Sequence, residues 1–183
     1  MGTWLGVLVV VGVAACVVSI VWHSLKNGIS PTPTARRPSQ AIIQALRKKR
    51  VKGNVYELGS GFGTLTFTLA DYLPDCTVHA YESSPVPYWI SRFFQRFLRR
   101  ANVRQTKADF FKVSLFHAEA IVCYLAPKLM ADLRKKFETE LTPGTVVVSS
   151  TFAVPRWKPV EVIESEDMYN SPIYVYVMPV EYA

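Results

Sequence analysis

A short glycine-rich segment constrains the fold of this chain more than any other feature. Residues 55–58 form an apolar, strand-like run, and residues 59–63 then place three glycines at alternate positions, just before a helix-like segment begins at Thr64. Glycine adopts positive φ readily and lets a ligand approach the main chain without a Cβ in the way. The first turn of a helix also has unpaired N–H groups at its positive end. The segment therefore predicts a strand, a tight turn and a helix that bind a nucleotide-like ligand through the backbone.

Acidic residues accompany this strand and the next two predicted strands. Glu57 lies two residues before the first glycine, Glu82 follows the apolar run at 77–81, and Asp109 follows the run at 103–108. In a parallel sheet, strand ends such as these meet at one edge, where α/β proteins bind their ligands. A carboxylate beside the glycine turn can accept charge-assisted hydrogen bonds from both hydroxyls of a ribose.

This order of turn and acids resembles class I, Rossmann-like S-adenosylmethionine-dependent methyltransferases. The spacing acid-x-Gly-x-Gly-x-Gly is similar to motif I of that family and differs from the dinucleotide pattern Gly-x-Gly-x-x-Gly. The resemblance implies S-adenosyl-L-methionine as the cofactor, with its methionine end on the glycine turn, its ribose on Glu82 and its adenine beside Asp109. The implied cofactor-binding residues are Glu57, Gly59, Ser60, Gly61, Gly63, Glu82, Ser83, Asp109 and Phe110. The segment that begins at Tyr124 faces the methyl group in this family, so Tyr124 is the candidate catalytic residue.

Further features resemble the small membrane-anchored protein-lysine N-methyltransferases of mitochondria that modify the ATP synthase c-subunit and the ADP/ATP translocase. These features are a hydrophobic N-terminus, Ser84-Pro85 before an aromatic helix, and Pro155-x-Trp157 after the fifth strand. The resemblance implies that the acceptor is a lysine side chain of a membrane-associated protein.

The remaining pattern predicts one α/β domain. Strands separated by helices favour a mostly parallel sheet, and the alternating runs at 160–164 and 173–178 favour a C-terminal antiparallel hairpin. We expect a Rossmann-like class I methyltransferase sheet preceded by a single transmembrane helix. The predicted divisions are a transmembrane anchor at 1–25, a proline-rich linker at 26–38 and a methyltransferase domain at 39–183.

The predicted anchor depends on residues 3–22, which include no charged residue. A helix of this length spans about 30 Å, the thickness of a bilayer core. The net charge of +7 belongs to the next segment, because residues 26–52 contain eight basic residues and no acid. This asymmetry predicts a lipid bilayer as partner and argues against nucleic acid. It also predicts that the domain lies on the cytoplasmic side of a bacterial inner membrane or on the matrix side of a mitochondrial one.

A helix at 86–101 has aromatic residues at three- and four-residue steps, with arginines on its other side. We expect the aromatic side to pack on the sheet and the arginines to lie in water. Trp157 has two open interpretations, as a packing residue at the sheet edge or as a wall of the substrate channel. The three cysteines form no Cys-x-x-Cys pair and the three histidines are isolated, so the sequence predicts neither a disulfide nor a metal site.

Two other functions remain open. The arginines at 92–100 are compatible with an RNA or small-molecule methyltransferase, although residues 124–127, Tyr-Leu-Ala-Pro, lack the Asn/Asp-Pro-Pro-Tyr motif of enzymes that methylate adenine or glutamine amides. A non-catalytic membrane-tethered adaptor is also possible, because Phe62 replaces the aspartate usual between the glycines and the C-terminal half is short.

Overall fold

A computed structural model describes residues 2–27, 36–168 and 170–182 of the chain. Most of the predicted linker, including Pro31 and Pro33, lies outside these residues. The helices of the described part are α1 (Gly2–Asn27), α2 (Arg36–Lys48), α3 (Thr64–Tyr72), α4 (Pro85–Leu98) and α5 (Pro127–Glu140). Its strands are β1 (Gly53–Leu58), β2 (Cys76–Glu82), β3 (Val103–Lys107), β4 (Ala120–Cys123), β5 (Val146–Ser150), β6 (Trp157–Lys158), β7 (Glu161–Glu164), β8 (Pro172–Val177) and β9 (Glu181–Tyr182).

The main sheet has the order β3-β2-β1-β4-β5-β8-β7. Strands β1 to β5 are parallel, and β8 is antiparallel to both of its neighbours, β5 and β7. The predicted mostly parallel sheet and C-terminal hairpin are therefore confirmed. The chain leaves β1 toward β2 on one side, and β4 returns on the other, which creates a crevice at the carboxyl ends of the central strands.

Both faces of the sheet are covered by helices. One face packs against α2 and α3 through Ile42, Leu46 and Leu69, whereas the other packs against α5 through Met130 and Phe137. The central strands β4 and β5 are buried along their whole length and are mainly apolar, as Val146, Val147 and Val148 illustrate, because a parallel strand buried on both faces has no solvent side. Trp157 is 3% exposed and packs between Phe137 and Tyr176, which favours the packing interpretation of this residue.

Helix α2 begins at Arg36, earlier than the Ser39 cap that the sequence predicts. Pro38 consequently lies in the first turn of the helix. Proline is tolerated there because the N–H that it lacks has no acceptor within the first turn of a helix.

The expected burial of the aromatic side of α4 is wrong. The side chains of Trp89, Phe93 and Phe97 are 61%, 59% and 66% exposed, whereas Pro87 and Ser91 are buried. The small side chain of Ser91 faces the protein and accepts a hydrogen bond from the Gln105 amide. Small residues on the inner side let α4 approach the sheet closely, and the aromatic side therefore faces outward.

The expected transmembrane helix is also corrected. Within the described part of the chain, none of the helices combines the length and the apolarity that a bilayer crossing requires. The predictions of a bilayer contact through residues 3–22 and of a single-pass location, bacterial or mitochondrial, are not supported.

Candidate functional site

The carboxyl ends of the central strands are joined by backbone hydrogen bonds. The N–H groups of Gly59 and Ser60 donate to the carbonyl oxygen of Tyr81, at 2.9 and 3.0 Å, and the N–H of Ala108 donates to the carbonyl oxygen of Glu82 at 3.1 Å. The residues that follow β1, β2 and β3 are thus held at one edge of the sheet, as the sequence predicts.

The glycine turn between β1 and α3 has the backbone conformation that requires glycine. Gly59, Gly61 and Gly63 have φ values of 80°, 54° and 81°. A Cβ at Gly63 would also collide with the Ser91 hydroxyl, and one at Gly59 would lie 3.0 Å from Leu125 Cδ2. The turn therefore brings bare main chain to the crevice, with the first turn of α3 directly behind it.

Glu82 connects the glycine turn to the start of α4. Its Oε2 accepts a hydrogen bond from the Gly61 N–H at 2.8 Å, and its Oε1 accepts one from the Ser84 N–H at 2.6 Å. The side chain is 7% exposed. An ionised carboxylate has about four acceptor positions, so each oxygen retains one for a ligand hydroxyl after these bonds are made.

Glu57 lies beneath the glycine turn and is 4% exposed. Its Oε2 accepts a hydrogen bond of 2.5 Å from the Thr66 hydroxyl. Burial raises the pKa of Glu57 to about 8, with a further increase from the nearby charge of Glu82, although the Thr66 hydrogen bond acts in the opposite direction. A positive charge bound near Glu57 would lower its pKa and favour the ionised carboxylate at neutral pH.

Asp109 and Phe110 follow β3 at the outer side of the crevice. The exposed Asp109 side chain caps a short 3-10 turn, Phe110–Lys112, by accepting a hydrogen bond of 3.0 Å from the Phe111 N–H. Phe110 is buried and packs against Phe111, with ring centroids 4.9 Å apart. Asp109 is therefore near the expected position, but its described contacts are local to its own turn.

An aromatic pair lies at the other side of the crevice. Tyr124 follows β4, and its ring lies nearly parallel to that of Phe152, with centroids 6.1 Å apart and an interplanar angle of 17°. Both side chains are half-buried. The sequence predicts a β-strand through residue 152, whereas β5 ends at Ser150, so the proximity of Phe152 to Tyr124 was not expected.

Sequence reasoning therefore found the glycine turn, Glu57 and Glu82, which the structure brings together, but missed Thr66 and Phe152. Thr66 could have been found, because it lies in the first turn of the helix that follows the glycines. No sequence signal marked Phe152. Ser83 and Phe62 are half-buried beside the site. Across the described residues, no group of three or more His, Cys, Asp or Glu side chains is arranged to hold a metal ion.

A family model for the ANTKMT methyltransferase domain matches residues 57–161, more than half of the chain. The matched range begins at Glu57 and extends through the glycine turn, Glu82, Asp109 and Tyr124. The chain belongs to the ANTKMT methyltransferase domain family. This family member has the S-adenosylmethionine-dependent class I methyltransferase domain that the sequence resemblance implies.

Three comparisons describe the neighbourhood of this ANTKMT-family chain. The ATP synthase c-subunit lysine N-methyltransferase of Mus musculus is 29% identical over 131 residues, which cover 69% of this chain and 50% of that protein. A protein-lysine N-methyltransferase of Saccharolobus islandicus is 40% identical over 73 residues, or 39% of this chain and 45% of that protein. The crystal structure of an RNA methyltransferase from Salinibacter ruber, in complex with S-adenosyl-L-homocysteine, superimposes with a TM-score of 0.71 and 25% identity, covering 83% of this chain and 97% of that one. The chain spans about half the length of the first two relatives.

Proposed function

We propose that this chain is an S-adenosylmethionine-dependent protein-lysine N-methyltransferase. The observation that carries the proposal is the family match, which begins at Glu57 and covers the crevice from the glycine turn to the end of β5. Relatives named as lysine N-methyltransferases, from Mus musculus and Saccharolobus islandicus, support the choice of acceptor group.

The residues at the crevice fit the cofactor. The glycine turn offers main chain without side-chain bulk, Glu82 retains free acceptor positions toward a ribose, and Glu57 provides a buried carboxyl for the ammonium of the methionine end. We assign cofactor binding to Glu57, Gly59, Ser60, Gly61, Gly63, Glu82, Ser83, Asp109 and Phe110. The glycine turn would hold the methionine end, and Asp109 and Phe110 would hold the adenine.

When bound, the cofactor supplies a methyl group that is already activated by its sulfonium charge. The protein therefore needs no metal or strong acid, and its task is to align the acceptor and to remove water. A lysine amine, with an ordinary pKa of about 10.4, attacks only in its neutral form. A half-buried, largely apolar approach beside Tyr124 favours that form by desolvation. We assign to Tyr124 the role of orienting the amine, with its hydroxyl oxygen accepting an N–H.

We further propose that the acceptor lysine belongs to a membrane-associated protein. This part of the proposal follows from the sequence resemblance and from the acceptor that the mouse relative is named for, the c-subunit of ATP synthase. The exposed aromatic side of α4 supports it, because a contiguous apolar surface of this kind is typical of proteins that contact an apolar partner.

The proposal is tested with S-adenosylmethionine that carries a deuterated methyl group. The full chain is incubated separately with detergent-solubilised membrane proteins and with total RNA, and both are analysed by mass spectrometry. We expect label on lysine side chains in the protein sample and none in the RNA. Label confined to RNA would favour the RNA methyltransferase alternative. Absence of label together with no calorimetric heat for S-adenosylhomocysteine would leave the non-catalytic adaptor.

A further inference from the structure

Tyr124 and Phe152 form one continuous aromatic surface beside the glycine turn. Their strands are neighbours in the sheet, with Cys123 paired to Ser149, and β1 lies on the other side of β4, with Leu58 paired to Cys123. Nearly parallel rings at 6.1 Å fall in the range of offset stacking. The pair therefore presents two adjacent rings at the edge of the crevice where Gly59 begins the cofactor turn.

Phe152 reaches this position through a bend at Thr151. Thr151 has a φ of 68°, a left-handed conformation that is unfavourable for a β-branched residue. Backbone strain of this kind persists only where surrounding contacts impose it, and it is concentrated at functional sites. The bend therefore points to a role for the side chain that it places beside Tyr124.

Three hydrogen bonds impose the bend. The Thr151 N–H donates to the carbonyl oxygen of Pro172 at 2.7 Å, and the Phe152 N–H donates to the carbonyl oxygen of Ser150 at 2.8 Å. The Ser149 hydroxyl donates to the carbonyl oxygen of Phe152 at 2.5 Å. Main chain on both sides of Thr151 is thus fixed to β8 and to β5, so the position of Phe152 is built into the fold.

We propose that Tyr124 and Phe152 form the wall of the acceptor channel that binds the lysine side chain, that Thr151 positions Phe152 in this wall, and that the Phe152 ring determines how many methyl groups one lysine receives. The proposal rests on the proposed function. During transfer the lone pair of the acceptor nitrogen forms the new N–C bond, while the C–S bond breaks and its electron pair stays on sulfur. Positive charge thereby moves to the nitrogen, where aromatic faces stabilise it.

The same surface serves each later round of transfer. A mono- or dimethylated lysine must lose one proton to water before it attacks again, and each round replaces an N–H by a methyl group. The contact that we assign to the Tyr124 hydroxyl is lost once the neutral amine has no N–H left, so the last round depends on the two rings. Aromatic faces interact with the methylated cation without any N–H, as in sites that recognise quaternary ammonium groups.

Phe152→Leu is the principal test, because leucine preserves an apolar side chain and removes the ring. The full chain is incubated with detergent-solubilised membrane proteins and the deuterated cofactor, and the ratio of mono-, di- and trimethylated lysine is measured at each labelled site. We expect Phe152→Leu to slow the second and third transfers about tenfold and to accumulate monomethyllysine. Phe152→Tyr should keep the wild-type ratio. The affinity for S-adenosylhomocysteine should stay within about twofold in both, because neither change touches the assigned cofactor residues.

Phe116→Leu is the matched control. Phe116 is an exposed phenylalanine that precedes β4, away from the carboxyl ends of the strands, and its substitution should leave the methylation ratio unchanged. Thr151→Gly relieves the strained conformation and should shift the ratio toward monomethyllysine without lowering the free energy of unfolding. A changed methylation ratio in this variant is therefore distinguishable from a loss of structure, because the free energy of unfolding is measured separately.

Two outcomes would overturn the channel wall and would leave the proposed function standing. One is a wild-type enzyme that methylates lysine while Phe152→Leu has the same rates and ratio as Phe116→Leu. The other is a wild-type enzyme that forms only monomethyllysine. If the wild-type chain labels no lysine at all, the proposed function itself fails, and this result is separate from both.

Discussion

The Glu82 carboxylate and the Gly61 main-chain amide are joined by a hydrogen bond of 2.8 Å across the top of β1 and β2. This bond fixes the glycine turn against the neighbouring strand. It also orients the carboxylate toward the crevice, so the residue assigned to the ribose has a structural role as well.

Glu82→Ala should therefore weaken both the apo fold and cofactor binding. Two backbone N–H groups lose a charged acceptor, and we expect the free energy of unfolding to fall by about 2 kcal/mol. The affinity for S-adenosylhomocysteine should fall at least about tenfold, because the ribose hydroxyls lose the same carboxylate. Urea unfolding and titration calorimetry measure the two effects. Glu164→Ala, at an exposed acid at the end of β7, is the control and should change neither quantity.

The raised pKa of Glu57 predicts a pH-dependent stability of the apo protein. Only the unfolded chain loses this proton between the ordinary value of 4.5 and about 8. The free energy of unfolding should therefore fall as pH rises through that window and level off above it. Urea unfolding at several pH values measures the slope. Glu57→Gln has no proton to lose and should have a smaller slope, so an unchanged slope would assign the effect to other groups.

Tyr124→Phe should separate the hydroxyl from the ring. The substitution keeps the stacked aromatic pair and removes the acceptor that we assign to the lysine amine. We expect kcat to fall about tenfold, which corresponds to about 1.4 kcal/mol of transition-state stabilisation. The affinity for S-adenosylhomocysteine should not change. Steady-state kinetics on a mapped acceptor lysine, beside calorimetry, measures both, and a wild-type kcat would exclude a role for the hydroxyl.

The outward orientation of the aromatic side of α4 predicts a small stability effect at Phe93. Phe93→Ser should change the free energy of unfolding by less than about 0.5 kcal/mol, as is usual for exposed positions. Phe137→Ala, at a fully buried ring of α5, should cost about 3–5 kcal/mol. Thermal and urea unfolding of both variants measure the difference. A large loss at Phe93 would mean that this side of α4 is packed, as the sequence alone predicted.

The strands and the glycine turn were predictable because their signals are local. The apolar residues of β1, the valines of β5 and the glycines at 59, 61 and 63 each predict a conformation from within a few residues. The hairpin of β7 and β8 was equally accessible, because its alternation has the period of a strand with one exposed face. The order of Glu57, Glu82 and Asp109 along the chain was sufficient to identify the family.

The predictions that the structure corrected have a common physical origin. The aromatic period of α4 identified a helix, but it could not say which side faces the sheet, because that depends on how closely Ser91 approaches the glycine turn. Helix α2 begins before Pro38, because the first turn of a helix tolerates proline. The sequence pattern instead predicted that this helix begins at the Ser39 cap. The single-pass anchor was inferred from the uncharged run at 3–22 and from the basic segment that follows it, and the described helices do not support it.

The amino-acid sequence by itself determined the sheet, the glycine turn and the order of the acids, because each is fixed by backbone preferences and by periodicity within one segment. Tertiary structure alone decided that burial would raise the pKa of Glu57 to about 8, that Glu82 would accept a hydrogen bond from the Gly61 N–H, and that a bend at Thr151 would bring Phe152 to Tyr124. Those relationships depend on burial and on partners from other segments, and such contacts exist only after the chain has folded.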